Sequence, residues 1–217
     1  PPNWKQDVVR SLNNPIFPEG GIAVLTGNLA PDGAIIKQSA ANIDLTQHEG
    51  RAIVFDGLED LANRIDLPDL DVEPDDILVL KNVGPKGAPG MPEAGYIPIP
   101  RKLAQQGVKD MVRISDARMS GTAFGTIVLH VSPEAAIGGC LAIVKTGDRI
   151  SLDLKERNLN LLLPDKEIKK RLSSWMPKQY DNIRGWKKLF LQHVQQAPKG
   201  CDLDFLCAPK TLGSIPN

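Results

Sequence analysis

Residues 116–125 read DARMSGTAFG. Asp116, Arg118, Ser120 and Thr122 crowd into one short turn, and the apolar run IVLHV follows at 127–131. A chain reversal needs only Gly, Asn or Asp. Four polar groups between apolar segments therefore point either to a site or to a corner that hydrogen-bonds its own backbone. Ser120 can serve as nucleophile or base if a neighbour activates it. Arg118 can grip an anionic substrate group through its planar fork, or it can pair with Asp116 and brace the turn. Glu93, in the Gly- and Pro-rich stretch VGPKGAPGMPEAG (83–95), offers a carboxylate of the kind that suits a hard cation such as magnesium. One carboxylate does not complete a magnesium site. A serine-hydrolase reading would need a base for Ser120, and neither a GxSxG motif nor a histidine close in sequence is present. His130 sits in an apolar strand and His193 on an apolar helix face, so both read as core histidines with satisfied nitrogens.

The elements that must position these groups are legible as runs and breaks. DILVLKN (76–82) reads as a buried strand, 83–95 as a loop, IPRKLAQQG (99–107) as a short helix, and DMVRISD (110–116) as a second strand. Such a unit gives parallel neighbours by a right-handed crossover. Both strands then end at one sheet edge, where ligands usually bind, so the loop at 83–95 and the turn at 117–122 should emerge side by side. IAVLTG (22–27) and AIIK (34–37) read as a hairpin through LAPDG, and RAIVFDG (51–57) and TIVLHVS (126–132) as further strands. Residues 138–164 read as three more strands with TGD and KERN as turns. Helices are expected at 1–14, at 58–65 with Leu58, Leu61, Ala62 and Ile65 on one face, at 165–175, and at 184–197 with Trp186, Leu189, Phe190, His193 and Val194 on one face. The fold class is mixed α/β: a β-rich core over about 15–175 with flanking helices, and a helical tail over 176–217.

Composition narrows the function. Lys plus Arg and Asp plus Glu both number 26, so there is no electrostatic case for nucleic acid or an anionic membrane. No apolar run is long enough to span a bilayer, and the N-terminal residues do not read as a signal peptide. Cys140, Cys201 and Cys207 are too few and too irregularly spaced for a disulfide framework or a zinc motif, and a reducing compartment fits them. Cys201 and Cys207 read as small buried residues.

Long motifs then carry a resemblance. GNLAPDGAIIK (27–37), GPKGAPGMPE (84–93), SDARMSGTAFGTIVLHVSPEAAIGG (115–139), CLAIVKTGD (140–148) and LFLQHVQQAPKGCDLDFL (189–206) closely resemble the dihydroxy-acid and sugar-acid dehydratase (IlvD/Edd) family. The likeness covers nearly the whole chain but only the C-terminal part of such an enzyme. It implies a β-barrel-like β/β/α domain of the swivelling type. It also implies an N-terminal α/β domain, not included in these residues, that carries an iron–sulfur cluster (2Fe-2S or 4Fe-4S) and most magnesium ligands. Partners implied are that domain, a sugar-acid or dihydroxy-acid substrate, and further copies in a homodimer or homotetramer. The implied compartment is the cytoplasm, or the mitochondrion in a eukaryote. Ser120 resembles the family's proton acceptor and Glu93 a magnesium ligand, while Arg118, Gly121 and Thr122 fall at substrate-binding positions. Branched-chain members usually read DGRFSGG here, so Ala117, Met119 and Thr122 lean toward the aldonate branch. The implied reaction is removal of water from a 2,3-dihydroxy acid. Magnesium holds the carboxylate and 2-hydroxyl, the cluster iron acts on the leaving 3-hydroxyl, and Ser120 takes the C2 proton. A non-catalytic β-barrel binding module is the alternative for the chain by itself.

Overall fold

Two strands, β3 (Gln47–Asp56) and β4 (Ile77–Lys81), explain the architecture, because both of their faces are covered in the central stretch. In the computed structural model, which describes residues 8–178 and 183–207, Ala52, Val54, Ile77 and Val79 point to one apolar cluster, and Ile53, Phe55, Leu78 and Leu80 to another. Alternate residues of a strand face opposite sides, so a run apolar at every position is buried on both. Each such Val, Leu, Ile or Phe side chain contributes about 1.5–3 kcal/mol on burial.

The remaining strands are β1 (Ala23–Leu25), β2 (Gly33–Ile36), β5 (Arg113–Ser115), β6 (Ile127–Ser132), β7 (Arg149–Asp153) and β8 (Asn158–Leu161). They form one eight-stranded sheet in the order β1-β2-β6-β5-β4-β3-β7-β8. β3–β4, β4–β5 and β5–β6 are parallel, and the other pairs are antiparallel. The first half of β3 pairs with β7 and the second half with β4, so this long strand bends the sheet. The two edges then meet. Thr26 N donates to Arg157 O at 2.9 Å and Leu159 N to Thr26 O at 2.8 Å, which nearly closes a barrel. Closure removes exposed strand edges. One apolar cluster fills the interior; the other lies under α1 (Leu58–Arg64) and α2 (Arg101–Gln105). α3 (Asp165–Ser173) packs at the barrel end, and α4 (Gly185–His193) precedes two short 3-10 turns. No helix among the described residues is long and apolar enough to cross a membrane.

Several expectations are corrected. CLAIV is a 3-10 turn over Cys140–Ile143 rather than a strand; it is apolar because it plugs the barrel interior. Residues 8–14 form turns without a helix, with Val8, Val9 and Leu12 exposed, and residues 1–7 lie outside the described residues. A short helix with no face to bury is marginal in water. α1 rests on Leu61 and Ile65 alone, one turn apart, and Leu58 and Ala62 are exposed. α4 ends at His193, so Val194 is buried from extended backbone, while Trp186 is 80% exposed. Cys207 is exposed and Cys201 half-buried; only Cys140 is buried.

Candidate active site

β4 and β5 run parallel, as the strand–helix–strand order requires, and the segments that follow them meet. Gly95 N donates to Arg118 O at 2.8 Å. A Cβ at Gly95 would lie 2.2 Å from Leu129 Cδ2 and 3.0 Å from Arg118 O, so only glycine lets the loop approach the turn this closely. Arg118 closes the junction from the other side. Its Nε donates to Met91 O at 2.7 Å and its Nη1 to Glu93 Oε1 at 2.7 Å. The expected bracing pair of Arg118 with Asp116 does not form; Arg118 pairs with Glu93. Both side chains are roughly half exposed, so the pair is worth only about 0–1 kcal/mol. Either partner can exchange it for a substrate anion or a cation at little cost.

Asp116 has a different task. It is buried and accepts hydrogen bonds from Val83 N at 2.9 Å, Ala135 N at 2.9 Å and Asn82 N at 3.2 Å. Burial pushes its carboxyl up to about 6 against the pull of these N–H groups. It ties the start of the 83–95 loop to the end of β5. Glu134, also buried, holds the next residues: its carboxylate accepts from Lys86 N, Gly87 N and Gln196 Nε2, at 2.9, 2.8 and 2.6 Å. Below the turn, buried Arg113 bonds Asp110 Oδ1 at 2.6 Å and the carbonyls of Tyr96 and Ile97. Asp110 in turn accepts from Thr126 N and Oγ1. Asp110, Arg113, Glu134 and Gln196 were not singled out by sequence reasoning. Their partners lie in other elements, and only buried charge pairing reveals them.

At the tip, Ser120 Oγ and Thr122 Oγ1 lie 3.0 Å apart and hydrogen-bond each other. Thr122 N reaches Ser120 Oγ only at 3.5 Å, too long for a firm backbone cap, so the corner caps itself weakly. Gly121 and Thr122 are exposed and Ser120 half-buried. Lys37, just past β2, donates from Nζ to Gly121 O at 2.6 Å and to Ala123 O at 3.5 Å. Arg118, Ser120, Gly121, Thr122 and Glu93 thus share one sheet edge, although the direct partner of Ser120 is Thr122 and that of Glu93 is Arg118.

The histidines give Ser120 no base among the described residues. His48 Nε2 bonds Asp75 O, and His193 Nδ1 bonds Asp204 Oδ1. His130 is not the satisfied core histidine expected. It occupies a bulge of β6, at φ 54°, where its N–H leaves the ladder and donates to Ala117 O at 3.1 Å. Its buried Nδ1 has no hydrogen-bond partner among the described residues, and burial and then the Arg118 charge lower its pKa.

No group of three or more His, Cys, Asp or Glu side chains capable of holding a metal occurs among the described residues. Glu93 offers one hard oxygen ligand to magnesium. The cysteines do not fit a cluster held by this chain: Cys140 is buried, with its thiol pushed up to about 11 by burial, where the thiolate ligand is disfavoured.

A protein-family model described as "Dihydroxy-acid/6-phosphogluconate dehydratase C-terminal" matches residues 7–201. A Rhizobium meliloti (strain 1021) protein bearing the dehydratase name IlvD1 is 60% identical over 94% of this chain and 35% of its own length. L-arabinonate dehydratase of Rhizobium leguminosarum bv. trifolii (strain WSM2304) is 50% identical over 97% of this chain and 37% of its own. A dihydroxy-acid dehydratase of Archaeoglobus fulgidus is 40% identical over 91% and 35%. The chain spans little more than a third of the length of these relatives. With a nearly closed barrel, the loop–turn junction at its sheet edge and a match over residues 7–201, the chain belongs to the dihydroxy-acid/6-phosphogluconate dehydratase family, corresponding to its C-terminal region.

Proposed function

We propose that this chain is the C-terminal part of a hydro-lyase that converts a sugar acid of the aldonate class to a 2-keto-3-deoxy acid, with Ser120 as proton acceptor. The observation that carries the reading is the Ser120–Thr122 hydroxyl pair at 3.0 Å, exposed on a turn whose other end is joined to Glu93 through Arg118. In the reaction Ser120 Oγ, ionised, takes the proton from C2. The C2–H electron pair forms the C2=C3 double bond as the C3–O bond breaks, and the departing hydroxide takes up one proton, balancing the one Ser120 accepted, to leave as water. The resulting enol picks up a proton at C3 and becomes the 2-keto acid.

Serine is a weak base in water and needs a positive environment to ionise. Thr122 positions substrate through its hydroxyl, the exposed Gly121 presents its N–H while Lys37 holds its carbonyl, and Arg118 receives an anionic group once Glu93 releases it. Magnesium, when bound with Glu93 as its ligand from this chain, would supply positive charge against the substrate carboxylate and 2-hydroxyl. The iron–sulfur cluster has no ligand set among the described residues, so none of the steps assigned to this chain runs through it. The sugar-acid preference rests on Ala117, Met119 and Thr122 and on the higher identity to the arabinonate enzyme than to the dihydroxy-acid enzyme. Free cysteines suit a reducing compartment, and the cytoplasm is part of this proposal.

The test is turnover by the complete protein, with cluster and magnesium loaded, on five- and six-carbon aldonates and on a branched-chain 2,3-dihydroxy acid. 2-Keto acid from an aldonate supports the reading. Product only from the branched-chain acid would move the protein to the other branch, and no product from either would overturn the proposal.

A further inference from the structure

Of the two cations among the described residues that bond the turn or its flank, Arg118 is matched by a carboxylate, since Glu93 sits on its Nη1 at 2.7 Å. Lys37 has no carboxylate partner among those residues. Its hydrogen bonds among the described residues end on two backbone carbonyls, Gly121 O at 2.6 Å and Ala123 O at 3.5 Å. It is half-buried and arrives from 84 residues away, directly after the barrel strand β2. The turn it grips is otherwise tied at its tip by local bonds: Ala123 N to Ser120 O at 3.1 Å and the Ser120–Thr122 hydroxyl pair.

We infer that Lys37 is a positioning residue of this site. It locks the Ser120–Thr122 turn to the barrel through the Gly121 carbonyl, and it sets an unneutralised positive charge there that favours the ionised form of Ser120. The inference rests on the reading of Ser120 as proton acceptor. An ammonium bonded within the same turn acts in two ways. It restrains the backbone that carries the hydroxyl, where a misplacement of about 1 Å can cost about a hundredfold in rate. It also lowers the cost of forming an anion nearby.

The experiment uses the complete, cofactor-loaded protein with matched iron content, as Lys37→Met, Lys37→Arg and, as control, Ser120→Ala. Lys37→Met should lower kcat by roughly ten- to a hundredfold with little change in KM. The acid limb of its log kcat profile should move to higher pH, because the base becomes harder to ionise. Lys37→Arg keeps charge and donors and should recover most of the rate and the position of the limb. A merely structural lysine would reduce stability or active fraction and leave the limb in place. Should Lys37→Met not fold, Lys37→Gln keeps a donor for the Gly121 carbonyl without the charge and reads the same limb. An inactive Ser120→Ala enzyme beside a Lys37→Met enzyme with wild-type kcat, or with an unmoved limb, overturns the inference alone. Wild-type turnover by Ser120→Ala overturns the serine reading and this inference with it.

Discussion

Exchanging Glu134 for glutamine puts an amide donor into a pocket that presents only donors. Oε1 of Glu134 serves Lys86 N at 2.9 Å and Gln196 Nε2 at 2.6 Å; Oε2 serves Lys86 N at 2.9 Å and Gly87 N at 2.8 Å. In either orientation the new NH2 faces an N–H, of Gly87 or of Gln196. Gln196 cannot flip to relieve this, because its Oε1 already accepts from Glu134 N at 2.9 Å. One charge-assisted bond is lost and one buried donor is left unpaired, a cost of about 3 kcal/mol. For a chain of this size about 2–4 °C in Tm accompanies each kcal/mol, so Glu134→Gln should melt roughly 6–12 °C below wild type. Thermal unfolding of the purified chain, followed by circular dichroism at neutral pH, reads this directly. A fall of less than about 2 °C would refute the reasoning that Glu134 anchors the 83–95 loop.

Four further outcomes are expected. Gly125→Ala, at φ 120° with a Cβ that would sit 1.9 Å from Arg113 Nη2, should displace Arg113 from Asp110 and cost several kcal/mol, about 3 or more, in a denaturant titration. Burial pushes the Asp116 carboxyl up to about 6 in the fold, above the ordinary carboxylate value, so the stability it adds is present below about pH 4 and is lost as pH rises through about 6. Asp116→Asn should therefore remove about 3 kcal/mol of pH-dependence between those limits, checked by urea unfolding at several pH values. The 217-residue chain by itself, supplied with magnesium, should form no 2-keto acid from any aldonate, checked by product assay. Glu93→Gln in the complete protein should raise the magnesium concentration needed for half-maximal rate about tenfold or more, checked by metal titration.

The sheet was legible where burial on both faces wrote continuous apolar runs, as in ILVLK of β4, and where strand–helix–strand order dictated parallel pairing. The same signal misled at CLAIV, because a short apolar run reports burial and not backbone shape. The juxtaposition of Glu93 with the Ser120 turn followed from topology. The partners within it did not. Arg118 pairs across the loop with Glu93 rather than along the chain with Asp116, and Lys37 comes from another hairpin altogether. Likewise IVLHVS carries no mark of the bulge at His130, which arises from its register against β2. Trp186 fits the helical period of its neighbours, yet it sits in the first turn of α4 in an exposed groove with Pro89, Pro92 and Phe190.

The central claim, that the DARMSGTAFG turn supplies the base, is tested most directly by solvent-deuterium exchange at C2 in the complete Ser120→Ala enzyme. Removing this half-exposed oxygen should change stability by no more than about 1 kcal/mol, since its own bonds are to Thr122. With cluster and iron content equal to wild type, exchange and turnover should both fall by at least about a hundredfold, because the C2 proton has then lost the acceptor this account assigns to it. Thr122→Ala should fall less. Near wild-type exchange in the Ser120→Ala enzyme would contradict the account and leave the turn as a weakly self-capped corner.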